Sequence, residues 1–335
     1  MSVPGVIVDF LVAQGLCADA AAVAGEPLTG GVSSDIWRID LPAQTLCVKR
    51  ALPRLKVAAL WEAPVSRNAV EWDWLVFAAR HVPHAVPRPV AADHRHGLFA
   101  MQFLEPAAHP VWKQQLMDGR VDIATAIQVA TILGKLHAVS AGDAQLATRF
   151  DTTDNFNALR LDPYLEASAC RHPELAPALR ALARRTATTR LALVHGDVSP
   201  KNVLVGPNSP VLLDAECAWY GDPAFDVAFC LNHLLLKTLV RPDALDACLA
   251  SFEAFASTYL ACITWEPPAA TEARAASLLP GLLLARLDGK SPVEYLPCEA
   301  DKAPARRAVW PLILAQPVRL ADVAAHWRAC MRADG

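Results

Sequence analysis

The chain has 335 residues, 53% of them hydrophobic and 19% charged, enough apolar material for a large buried core and too much for a disordered chain. Its 31 Lys and Arg against 34 Asp and Glu give a formal net charge of −3, so no basic excess is available to grip a nucleic-acid backbone, and no nucleic-acid partner is expected. Nine scattered cysteines, an odd number with no CxxC pair, argue against a zinc site and a disulfide scaffold and fit a reducing cytoplasm.

Residues 1–24 are apolar but hold Pro4, Asp9 and Asp19 and have no basic start, so they do not read as a signal peptide. Leu28-Thr29-Gly30-Gly31-Val32 is a glycine-containing turn. Alternating runs follow at 35–39 and 45–49, rich in β-branched and aromatic residues, and read as strands. Over 67–80 the apolar positions Val70, Trp74, Leu75 and Phe77 take helical spacing, and 98–104 is a short buried strand.

Beyond Glu105-Pro106 the pattern turns helical. Residues 121–137 predict an amphipathic helix with Ile123, Ile127, Ala130, Leu133, Leu136 and His137 on one side. Residues 176–186 predict another, 191–195 a short strand, and 223–262 and 305–332 mainly helix broken at prolines. The greasiest later stretch, 277–285, is about nine residues, short of the ~20 that span a bilayer, so no membrane partner is expected. The expectation is an α+β protein: a small, mostly-β lobe over 1–105, then a larger, mostly-α lobe over 106–335. A monomer or homodimer in the cytoplasm is expected.

The strongest chemical signal lies in His195-Gly196-Asp197-Val198-Ser199-Pro200-Lys201-Asn202. A carboxylate and an amide five residues apart sit in a polar loop between two apolar runs. A second acid, Asp214, follows the apolar Leu212-Leu213. That arrangement suits phosphoryl transfer. One carboxylate orients and deprotonates a hydroxyl, while an amide oxygen and a second carboxylate hold Mg²⁺ against nucleotide phosphates. Mg²⁺ takes hard oxygen ligands and keeps several waters, so two protein ligands suffice.

His195-Gly196-Asp197 with Asn202, then Asp214-Ala215-Glu216, then Trp219-Tyr220-Gly221-Asp222-Pro223-Ala224-Phe225-Asp226, together resemble the aminoglycoside phosphotransferase/choline kinase family. These are small-molecule kinases of bilobal protein-kinase-like fold. The resemblance runs from about residue 25 to about residue 230, weakening over the last hundred residues. It implies ATP and Mg²⁺, with Asp197 as catalytic base and Asn202 and Asp214 as metal ligands. It also implies that His195 braces the catalytic loop and that Asp226 hydrogen-bonds the loop backbone. Lys49 is implied as the ligand of the α/β-phosphates, with Glu71 or Glu62 as its ion-pair partner. Residues 101–104, including Gln102 and Phe103, are implied as the hinge meeting adenine. No GxGxxG occurs, so the Gly30-Gly31 turn would cover the phosphates through Ser33, Ser34 or backbone N–H groups.

The acceptor is a small molecule with a hydroxyl: a sugar, amino alcohol or hydroxy acid. Glu216 is a candidate for metal or substrate contact or for anchoring its loop, and Lys201 for neutralising the transferred phosphate. Asn232, His233, Arg286 and Lys290 are candidates for the acceptor pocket. Between 231 and 300 eight acids face five cations, too mild an excess to favour a polycationic antibiotic. Aminoglycoside phosphorylation and a catalytically silent nucleotide-binding regulator are the alternatives. Gly196, standing where protein kinases carry Arg, argues against a protein substrate.

Overall fold

Alternation of side chains across the pleat organises the first hundred residues. The computed structural model describes residues 2–28, 34–52 and 66–333. Strands β1 (Ala24–Pro27), β2 (Ser34–Asp40), β3 (Thr45–Ala51), β4 (Pro89–Asp93) and β5 (Leu98–Gln102) form one sheet in the order β1-β2-β3-β5-β4, every neighbouring pair antiparallel. Trp37 and Ile39 of β2, Leu46 and Val48 of β3, and Leu98 and Ala100 of β5 pack in one core with Ile7, Phe10 and Leu11 of helix α1 (Gly5–Ala13). The two-residue period then sends Cys47 and Lys49 to the opposite face. There Cys47, Phe99 and Met101 join the larger core, with Trp74 and Leu75 of α2 (Arg67–His81).

Beyond β5 the chain is helical, through α3 (Trp112–Met117), α4 (Ile123–Ser140), α5 (Ala144–Arg149) and α6 (Thr153–Phe156). A π-helical stretch, Asn157–Glu166, runs into α7 (Ala167–Arg171), followed by α8 (Ala176–Thr188). Strands β6 (Ala192–Val194) and β9 (Trp219–Gly221) pair antiparallel, and so do β7 (Val203–Val205) and β8 (Pro210–Leu212) between them. Helices α9 (Ala224–Val240), α10 (Leu245–Ala261), α11 (Pro268–Asp288), α12 (Glu299–Ala315) and α13 (Leu320–Ala333) complete the chain. The protein has a two-lobed α+β architecture.

Several expectations are corrected. The helices over 223–262 and 305–332 do break at Pro242 and Pro317, but Pro311 lies inside α12 without ending it, as do Pro304 there and Pro280 in α11. Proline within an established helix forfeits one hydrogen bond, which packing offsets; α11 is buried along most of its second half. The stretch 277–285 is thus part of a 21-residue helix. The expected apolar face of α4 is rotated: Ile123 and Ile127 are about 40% exposed, and Val129, Ala130, Leu133, Leu136 and His137 face inward. The helix carries apolar residues nearly all round, so periodicity could not choose a side. By length and composition α4 also qualifies as a membrane span, but it packs against α10 and α2 in the core. The strand over 98–104 stops at Gln102, before the link to α3.

Candidate active site

β6 and β9 hold the two ends of a loop system, and β7 and β8 form a hairpin inside it. Loop residues 195–202 and 213–218 therefore lie side by side, joined where Leu213 N donates to Asn202 O at 2.9 Å. Asp226 anchors the first loop from the N-terminal turn of α9. It is fully buried, and its Oδ2 accepts from His195 N at 2.7 Å while Oδ1 accepts from Gly196 N at 2.8 Å. Its carboxylate also meets His137 Nε2 at 3.3 Å, and His137 Nδ1 lies 2.8 Å from the Tyr259 hydroxyl. The positive end of the α9 dipole favours an acid there.

His195 lies edge-on to Trp74, and its Nδ1 accepts from Asp197 N at 3.2 Å. Burial holds its pKa below the usual imidazole value against the pull of Asp226 and Asp197, so it acts as a neutral brace. Gly196 turns the chain at φ +80°, and a Cβ there would meet Cys217 O at 2.5 Å. Both the left-handed backbone and that close approach require glycine, which accounts for the missing Arg.

Asp197, 3% exposed, receives two cations on one oxygen: Arg160 Nη2 at 2.8 Å and Lys201 Nζ at 3.1 Å, both on Oδ2. Among the described residues none hydrogen-bonds to Oδ1. Arg160 also donates to Gly196 O at 2.5 Å. Asn202 Nδ2 donates to Asp197 O at 3.1 Å.

Lys49 crosses from the sheet to this loop. Its Nζ donates to Glu71 Oε1 at 2.5 Å and to Asp214 Oδ1 at 2.7 Å. Burial works against its charge, but Asp214 and Glu71 outweigh it and hold its pKa above the ordinary value. Asp214 stands at φ +69°, a position few non-glycine residues take. Burial opposes its charge too, yet Lys49 and Lys201 pull its pKa well below the usual range. One cation thus serves two acids. Glu71, the deeper, is pushed up to about 7 by burial against the pull of Lys49.

Lys49→Met leaves both acids without their cation. The expected destabilisation is about 3–5 kcal/mol, the usual penalty for breaking a buried pair from one side. Glu71→Gln keeps Lys49 paired with Asp214 and is expected to lose far less. Urea unfolding midpoints of the two variants check the order; equal midpoints would contradict the shared-cation geometry.

Glu216 Oε2 accepts from Arg67 Nε at 3.0 Å, so Glu216 ties the 213–218 loop to the start of α2. Ser34 opens β2, buried and opposite Ala51; Ser33, the Gly30-Gly31 turn and Glu62 lie outside the described residues. Gln102 closes β5 with its N–H donating to Arg88 O at 2.8 Å, and Phe103 lies under the Arg38 guanidinium at 5.0 Å.

Two acceptor candidates fall elsewhere. Asn232 is fully buried in α9 and donates to Ala228 O and Phe229 O of its own helix. Lys290 is exposed, past the end of α11, outside the cleft that holds Lys201. His233 and Arg286 do line that cleft, with Lys113, Lys237, Glu294 and Tyr295. Arg160, Arg67, Lys113 and Lys237 were not legible as site residues. Each is a lone cation in a helical segment, and only the tertiary fold turns it inward. A basic residue between leucines, as in Leu159-Arg160-Leu161, was the one available hint.

Residues 24–271 match the model of the phosphotransferase enzyme family. The chain belongs to that family. It is 26% identical over 226 residues to the methylthioribose kinase of Bacillus velezensis, a match covering 58% of this chain and 56% of the relative. The chain thus spans little more than half the length of that relative. Among solved structures, Plasmodium vivax ethanolamine kinase superposes with TM-score 0.53 at 9% identity, covering 98% of this chain and 87% of that one. Cryptosporidium parvum choline kinase gives TM-score 0.51 at 11% identity, over 98% and 94% of the two chains. These structural likenesses establish the protein-kinase-like fold.

Proposed function

We propose that this chain transfers the γ-phosphoryl group of ATP to a hydroxyl of a small metabolite. The observation that carries the reading is the junction at Asp214. Lys49 from the sheet, Glu71 from α2 and Asp214 from the loop meet at one ammonium, beside the loop that joins Asn202 to Asp197. Family membership and the methylthioribose kinase relatives support the same chemistry.

Charge and positioning carry most of such a reaction. Lys49, held charged, binds the α- and β-phosphates. Among the described residues no three His, Cys, Asp or Glu side chains cluster as a metal cage. The Asn202 amide oxygen and the Asp214 carboxylate are two hard donors, a set that fits Mg²⁺ completed by phosphate oxygens and water. Bound there, the metal neutralises charge on the β- and γ-phosphates. Arg160 and Lys201 hold Asp197 through Oδ2, so Oδ1 is the oxygen that accepts the acceptor's hydroxyl proton. The hydroxyl oxygen then bonds to the γ-phosphorus, the bond to the β-phosphate oxygen breaks, and ADP leaves.

The cleft beside Asp197 holds Lys113, Lys201, Lys237 and Arg286 against one acid, Glu294. A polycationic antibiotic would meet like charge there, which disfavours the aminoglycoside reading. The test is ADP release from MgATP over panels of sugars, amino alcohols, hydroxy acids and aminoglycosides. Release with one of the first three classes is expected. Release with aminoglycosides alone would replace this reading with antibiotic phosphorylation.

A further inference from the structure

The cations of that cleft are not equally paired. Lys113 is bonded to Glu294, and Lys201 lies 3.1 Å from Asp197 Oδ2. Lys237 and Arg286 have no carboxylate among the described residues. Lys237, on α9, is 1% exposed, with its Nζ 3.7 Å from the centroid of the Tyr295 ring and no hydrogen-bond acceptor in reach. Arg286, on α11, is 8% exposed. Its Nη1 donates to the Tyr164 hydroxyl at 3.2 Å and to Ser291 Oγ at 3.0 Å, while Nε is buried with no partner.

Burying an ammonium and a guanidinium side by side with no carboxylate bonded to either is unfavourable. Burial, with repulsion from Lys113 and Arg286, pushes the Lys237 pKa down to about 7 against the pull of Glu294. His233, in the same wall, is driven well below its ordinary value by burial and by Arg286 and Lys237, so it stays neutral. Lys201 belongs both to this wall and to the ion pair at Asp197, so the uncompensated charge sits on the acceptor side of the base. Such a site is complementary to an anion.

Resting on the kinase reading above, we propose that the acceptor is a small hydroxylated anion, a carboxylate or phosphate monoester. Lys237 and Arg286 hold its negative group while its hydroxyl meets Asp197. The negative group compensates Lys237, restores its full protonation, and gives Arg286 Nε an acceptor.

Thermal unfolding of the full chain saturated with MgADP, at constant ionic strength, tests this with glycerate, glycerol 3-phosphate, glycerol, methylthioribose and choline as probes. A saturable rise in melting temperature with glycerate or glycerol 3-phosphate is expected, none with glycerol, and the responding arm separates carboxylate from phosphate. Lys237→Met is expected to abolish the rise. Its unliganded melting temperature should equal or exceed that of the wild type, because an uncompensated charge has gone.

The glycerate response is also expected to be stronger at about pH 6 than at about pH 8.5, since Lys237 is charged only below its pKa. Around it Lys201 stays cationic, Glu294 ionised, and His233, Tyr295 and Cys248 neutral between those limits, with Lys113 and Arg286 the other charged groups facing it. No shift with either anion, an equal shift with glycerol or methylthioribose, or an anion shift that survives Lys237→Met overturns the proposal. If a neutral acceptor supports Asp197-dependent ADP release while no anion shifts the melt, this inference falls and the kinase reading stands. Lys237-dependent anion binding in a protein that MgADP and MgATP fail to stabilise does the reverse.

Discussion

Asp197→Asn is expected to lower kcat by about 10²–10⁴-fold, the range a positioned general base contributes. MgATP binding should persist, because Lys49, Glu71 and Asp214 are bonded to one another and not to Asp197. The substitution keeps the size of the side chain and removes the charge that Arg160 and Lys201 share at Oδ2. Asparagine offers an oxygen that cannot take a proton at neutral pH. Single-turnover transfer and nucleotide affinity, measured on the same preparation, separate the two effects. Transfer at the wild-type rate would remove Asp197 from the reaction. Loss of nucleotide affinity together with turnover would point to a collapsed loop instead of a missing base.

The second large effect is expected at Asp226, which touches no reacting atom in this scheme. Asp226→Ala strips the acceptor from His195 N and Gly196 N, both buried, and from His137. Each orphaned donor costs roughly 1–3 kcal/mol, so the two amides alone give about 2–6 kcal/mol. Against a typical net stability of about 5–15 kcal/mol, that is a large fraction. Turnover should fall as well, because Asp197 follows directly on the two residues whose amides are held. Asp226→Asn returns one acceptor oxygen but sets an NH₂ group against the second amide, so only partial recovery is expected. Melting temperature and kcat measured for both variants test the ordering wild type, Asn, Ala. A wild-type melt for Asp226→Ala would mean that Arg160, through Gly196 O, suffices to hold the loop.

How far the site could be read in advance depended on how local each signal was. Asp197 and Asn202 are five residues apart in a loop bounded by apolar runs, and Asp214 follows one more such run, so their mutual placement is set by short hairpins. Lys49 was pointed to by the family resemblance, and strand alternation places it on the face opposite Leu46 and Val48. The choice between Glu71 and Glu62 was not, since it depends on where α2 docks. Asn232 and His233 are neighbours in sequence and in helix. The hundred-degree step of the helix nonetheless puts one against its own backbone and the other in the cleft wall.

By itself the sequence determined the mostly-β to mostly-α order of the chain, the glycine that the loop requires, and the placing of Asp197, Asn202 and Asp214 in loops between short apolar strands. Each of these follows from short-range sterics, alternation or spacing. Only the tertiary structure decided which cations are neutralised and which are not. Arg160 reaches Asp197 from a π-helical stretch 37 residues away, and Lys237 and Arg286 converge from two different helices with no carboxylate bonded to either. Coulomb energy in a buried site depends on distance and desolvation, and neither is written in the order of residues along a chain.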